Sequence, residues 1–194
     1  MKLLLPFMLL TFALVLWSCG GDETPKPRGF VRIDFPEPQY LAFDTTLPYR
    51  FEYSNEAKIE MLQRPEHPYW INLVYPRYKA TVYLTYNNIQ GNMAQMLSDA
   101  HDLAYKHISV ASDIQTELIL KPKNQVYGLY YYHIKGDKVA SPINFFVTDS
   151  LQHFLRASLY FDQLPHNDSL APVIEGINKD LWVLVNTLTW KDKP

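Results

Sequence analysis

The chain has 194 residues and a net charge of −2, from 18 Lys and Arg against 20 Asp and Glu, which supplies neither a broad basic field for nucleic acid nor an acidic block. Hydrophobic residues make up 47% and aromatics 14%, enough for a sizeable core, while a mean hydropathy of −0.19 is too low for a polytopic membrane protein. Seven glycines leave little for phosphate-cradling loops, and one cysteine excludes disulfide frameworks, CxxC redox pairs and Cys-rich zinc sites.

Residues 1–18 read as a secretory signal peptide. Lys2 supplies the positive start, and the apolar run Leu3–Trp17 contains Pro6 and falls short of the roughly 20 residues a membrane span needs. The run ends in Leu16-Trp17-Ser18-Cys19-Gly20, with Leu three residues before the cysteine and a small Ser directly before it. That is the pattern of a bacterial lipobox, although Trp17 is bulky where smaller residues are usual. Cys19 is therefore expected to be lipidated, and several acyl chains at about 0.8 kcal/mol per buried CH₂ would anchor the chain to a membrane. The alternative is an ordinary signal peptide with Cys19 lost or left as a free thiol. Gly20 stands where an acidic residue would mark inner-membrane retention in enteric bacteria, so attachment to the outer membrane, facing the periplasm, is expected.

Residues 19–29 are polar and rich in Pro and Gly and read as a flexible tether, with a docking segment at Pro25–Gly29 as the other reading. Residues 30–194 are expected to form one globular domain. Strand patterns fall at Phe30–Phe35, Tyr49–Tyr53, Ile59–Leu62, and at Trp70–Tyr75 and Lys79–Tyr86 as a hairpin around Pro76-Arg77-Tyr78. In the second arm Ala80, Val82, Leu84 and Tyr86 share a face opposite Lys79, Thr81, Tyr83 and Thr85. Asn92 opens a helix, with Gln95 as a capping-box partner and Met93, Met96, Leu97, Ala100, Leu103 and Ala104 on its apolar side.

Further strands are expected at Thr116–Leu120, Val126–Lys135, Ile143–Thr148 and His153–Asp162. In the last, Leu155, Ala157, Leu159 and Phe161 alternate with Phe154, Arg156, Ser158 and Tyr160. A final helix starts near Leu170, with Pro172 in its first turn. The whole reads as an α+β protein, a mostly antiparallel sheet covered by a central and a C-terminal helix. Its element order loosely resembles the PsbP-like sandwich.

Chemistry-bearing motifs are sparse. None of the six histidines forms HExxH, and His101 and His107 lie about 240° apart around the central helix. The densest polar run is Asp162–Ser169, which could hold a hard cation but reads more simply as a turn at Pro165 followed by a helix cap from Asn167, Asp168 or Ser169. Asp149, Ser150 and His153 supply triad residue types yet look like a hairpin turn. The pairs Asp34/Glu37 and Asp99/Asp102 look solvated. No catalytic, cofactor-binding or metal residues are assigned, and no cofactor is expected. The 14 tyrosines are the compositional anomaly. Tyr127, Tyr130, Tyr131 and Tyr132 would place rings on both faces of one strand, so that sheet is either covered on both faces or presents one to a partner.

Four segments together carry a family resemblance: Pro25–Tyr40 (PKPRGFVRIDFPEPQY), Tyr75–Ile89 (YPRYKATVYLTYNNI), Asp99–Ile114 (DAHDLAYKHISVASDI) and the C-terminal stretch Phe145–Trp190. They resemble the gliding motility lipoprotein GldD family of Bacteroidetes. The resemblance implies a lipoprotein needed for gliding and for type IX secretion, and it transfers the lipidated cysteine onto Cys19. It carries no catalytic residues. The acidic pair Asp22-Glu23 also resembles the surface-export signals of Bacteroidetes lipoproteins, but two residues do not decide a membrane face.

The expected function is a membrane-anchored, non-enzymatic accessory or assembly factor. Its partners would be proteins of the envelope gliding and secretion machinery, together with the membrane through the lipid anchor, and not nucleic acid. The alternatives are a glycan- or peptidoglycan-binding module, which needs Tyr or Trp in a groove flanked by Asn, Asp or Arg, and a hydrolase built on Asp149/His153 or Asp162/His166/Asp168.

Overall fold

Two hairpins of a seven-stranded antiparallel sheet are built the same way. In each, a proline opens a single 3-10 turn, Pro76–Tyr78 or Pro122–Asn124, and the next residue, Lys79 or Gln125, takes a left-handed conformation with φ of 48° or 54°. Proline's fixed φ starts the tight turn and the left-handed residue reverses the chain. The computed structural model describes residues 37–106, 108–164 and 166–191. The signal segment, Cys19, the tether, the Phe30–Phe35 strand, His107 and Pro165 lie outside the described residues.

The strands are β1 (Tyr40–Phe43), β2 (Tyr49–Ser54), β3 (Lys58–Met61), β4 (Ile71–Tyr75), β5 (Ala80–Asn88), β6 (Asp113–Lys121), β7 (Val126–Lys135), β8 (Asn144–Thr148), β9 (His153–Phe161) and β10 (Thr189–Trp190). Helix α1 is Met93–Tyr105 and α2 is Asn167–Thr187. The large sheet runs β3-β4-β5-β9-β8-β7-β6, and β1-β2-β10 form a second, three-stranded sheet. Every described pairing is antiparallel. The α+β class is therefore as expected.

The inner face of the large sheet holds the main core. Leu73, Val82, Leu84, Phe145, Val147, Leu155 and Leu159 pack there against Val173, Ile177, Leu181 and Leu184 of α2, joined by Phe43, Tyr49 and Phe51 of the small sheet. Helix α2 lies along β7, with Asn167 at its start bonded to Gly136 and Val139 and Leu188 at its end bonded to Asn124. Midway, Trp182 stacks on Tyr130 at 4.4 Å and Tyr130 on Phe145 at 5.2 Å, pairs that contribute about 0.5–1.5 kcal/mol each beyond area burial. The outer face has a smaller core in which Ala100 and Ala104 of α1 cover Ile134, Val139, Phe146 and Phe154.

Several local expectations differ. Asn92 precedes α1 but makes no side-chain cap; its Oδ1 accepts from the Gln90 N–H at 2.9 Å. Gln95 donates to Asp99 one turn on instead of closing a capping box. Helix α2 begins at Asn167, three residues early, so Pro172 falls inside the helix. There the missing N–H leaves the Asp168 carbonyl without its helical donor. Strands β1 and β10 carry no long alternating pattern and are held by pairing with β2.

Gly128 in β7 is a close-approach position, because a Cβ there would meet the Phe146 carbonyl oxygen at 1.9 Å. Gly128→Ala is expected to destabilise the fold by about 2–3 kcal/mol, read as a lower denaturant midpoint. An unchanged midpoint would show that β7 and β8 separate more easily than this register allows.

Candidate functional site

The outer face of the sheet is only partly covered. Helix α1 lies over the β7–β8–β9 side, and next to it the outward residues of β4, β5 and β9 form an open groove. Antiparallel register builds this surface. Asn72 pairs with Tyr83 and Tyr83 with Ser158, while Thr81 pairs with Tyr160 and Thr85 with Arg156. Tyr83 therefore sits between Asn72 and Ser158 across the sheet, with Tyr160 and Arg156 as its diagonal neighbours along β9. Tyr83 and Tyr160 are exposed, their rings edge to face at 5.7 Å.

Two lobes make up the groove. One, of about 330 Å³, is lined by Arg64, Asn72, Tyr83, Arg156, Ser158 and Tyr160 among others. The second, of about 420 Å³, runs beneath Asp99, Asp102 and Leu103 of α1 and Lys106 just past its end. Trp70, Thr85 and Arg156 belong to both. Trp70 is held in place because its indole N–H donates to the Tyr86 carbonyl at 2.9 Å and its ring stacks on His67 at 3.8 Å.

One polar atom in this groove lacks a partner among the described residues. Asn72 is only 9% exposed, and its Oδ1 is buried and accepts no hydrogen bond. The guanidinium of Arg156 is half-buried beside it, with Tyr160 and Asp99 as the charged groups that act on it. Burial pulls its pKa down, opposed by the charges of Tyr160 and Asp99. A buried acceptor left unpaired costs roughly 1–3 kcal/mol, so a ligand donor reaching Asn72 would recover that energy.

The residues singled out from sequence scatter. Asp149 spends its Oδ1 on the backbone N–H groups of Leu151, Gln152 and His153, at 2.8–2.9 Å. Burial raises its pKa, but these three donors outweigh it and the net shift is downward. His153 is buried, 2.7 Å from Tyr86 Oη through Nδ1 and stacked on Trp190 at 5.0 Å. Asp149 thus shapes a turn rather than orienting the imidazole. Within the second polar run, Asn167 ties down the β7–β8 loop, His166 lies 3.5 Å from Asp137, and no side chain caps the helix. No cluster of three potential metal ligands occurs among the described residues.

Asp180 on α2 was not expected. It is buried, accepts from Tyr40 Oη at 3.1 Å, and takes further hydroxyl bonds from Ser54 and Tyr75. Burial raises its pKa above 3.8 despite those donors, and burial, with the Asp180 carboxylate beside it, pushes Tyr40 up to about 12. Between 3.8 and the raised value the native state binds more protons than the unfolded one. Stability therefore increases as pH falls through that window and levels off below it. Asp149 and Asp44, the latter bonded to Lys191, are shifted down; their contribution is present above 3.8 and is lost as pH falls through their folded values. Denaturant midpoints measured across pH should form a dome with its maximum on the acid side of neutral. Asp180→Asn should flatten the neutral-side slope. A slope that survives the substitution would assign it to another group.

A solution structure of cyanobacterial PsbP (CyanoP) from Synechocystis sp. is similar at 15% identity, covering 84% of this chain and 98% of that one, with a TM-score of 0.40. No curated protein matches the chain. The family model described as gliding motility lipoprotein GldD matches residues 20–190, which takes in every described strand and helix. The chain belongs to the gliding motility lipoprotein GldD family.

Proposed function

We propose that the chain is a lipid-anchored accessory or assembly factor, without catalysis of its own, that serves gliding motility and type IX protein secretion. In this reading residues 1–18 are removed, Cys19 carries the lipid, residues 19–29 act as the tether, and the 30–194 domain faces the periplasm from the outer membrane. The observation that carries it is the family match over residues 20–190, since membership brings lipid-anchored association with the cell envelope. Two features of the fold support it. The triad-type residues at Asp149 and His153 serve a turn and a ring stack. On the edge strand β6, Leu118 and Leu120 are 59% and 57% exposed, apolar surface of the kind that protein partners cover.

Cys19→Ala should release the chain from the membrane, abolish colony spreading where the host glides, and reduce export of secreted adhesins and hydrolases. Gentle crosslinking in native membranes should recover envelope secretion proteins with the wild type and not with the variant. Normal export from a soluble Cys19→Ala chain would contradict the anchored reading.

A further inference from the structure

We infer that the groove on the outer face of β4, β5 and β9 binds an acidic saccharide, with Arg156 holding a ligand carboxylate, Asn72 Oδ1 accepting from a hydroxyl, and Tyr83 and Tyr160 packing against a sugar face. The inference does not depend on which machinery the chain serves.

Three independent requirements meet in this lobe. Asn72 Oδ1 is a buried acceptor without a donor, and only a small protruding donor reaches the floor of a sheet face. A sugar hydroxyl has that shape. The guanidinium of Arg156 is half-buried beside the same floor and asks for an anion, and a planar carboxylate fits its fork of N–H groups. Arg64 on the rim adds a second positive charge. The edge-to-face pair of Tyr83 and Tyr160 leaves aromatic surface open, which suits the C–H faces of a sugar ring while the phenol hydroxyls stay wet.

A peptide fits less well. Strands β4, β5 and β9 are interior, each paired on both sides, so no ladder edge is available for strand addition and a peptide would have to bind through side chains alone.

The test titrates the full chain in detergent with tetragalacturonate, with neutral maltotetraose and with a glutamate-rich hexapeptide. Affinity and the NMR shift of the Asn72 side-chain amide are followed in each case. Tetragalacturonate is expected to bind and move the Asn72 resonance, with maltotetraose and the peptide much weaker. Arg156→Gln should weaken binding by about tenfold or more. Tyr83→Ser, at an exposed position that leaves the core intact, should also weaken it, while Leu118→Ser on β6 should not. Equal binding of maltotetraose would overturn the carboxylate contact. Preference for the peptide, absence of binding, or binding unchanged in both groove variants would overturn the site.

Discussion

The structure depends on a mismatch between the width of its sheet and what covers each face. Seven strands span about 29 Å across the ladder, whereas one helix with its side chains is about 10–12 Å wide. On the inner face α2 and the three-stranded sheet together close the gap, and from Leu73 to Val147 the inward side chains are sealed. On the outer face α1 is the one helix among the described residues. It seats Ala100 and Ala104, the smallest side chains of its stripe, over Phe146 and Phe154, so it sits close to the sheet and covers little beyond its own width. The described residues leave two flanks open, one at β6 with Leu118 and Leu120, the other at β4–β5–β9 with Tyr83 and Tyr160.

The sealed face explains much of the tyrosine content. Tyr40 and Tyr130 reach across to α2 and place their hydroxyls on Asp180 and Asn178 at 3.1 and 3.0 Å. Tyr49 donates to the Tyr69 carbonyl at 2.7 Å. A ring that fills volume and ends in a donor lets the helix keep polar residues against the core without leaving them unpaired. The open face uses the same residue differently, since Tyr83 and Tyr160 pack edge to face on each other and stay exposed in the groove. Aromatics on both sides of a sheet thus have two causes in one molecule.

Much of this was legible in the residues. Period-two alternation in Ala80–Tyr86 and in His153–Phe161 assigns the inward and outward sets correctly, and the proline turn at Pro76–Tyr78 forms the hairpin it suggests. The family resemblance also stands, now carried by a match over residues 20–190. The groove was not legible, because it needs β9 to pair with β5 across more than sixty intervening residues, from Asn88↔His153 to Ala80↔Phe161. Tyr83, Arg156 and Tyr160 stand on outward positions of separate strands, and no local spacing says that they meet. The caps were misread because Asn92 and Asn167 have the right composition for helix starts but spend their side chains elsewhere, Asn92 on the local Gln90 N–H and Asn167 on the distant Gly136 and Val139 carbonyls.

The central claim is that the uncovered outer face is the working surface of an envelope protein. Hydroxyl-radical footprinting of tyrosines tests it most directly, comparing the chain in intact cell envelopes with the purified chain in detergent. Tyr83 and Tyr160 should label readily in the purified chain and be protected in the envelope, while buried Tyr49 and Tyr130 stay protected in both. Equal labelling of Tyr83 and Tyr160 in the two preparations would mean that nothing occupies this face in the cell, and would contradict the account.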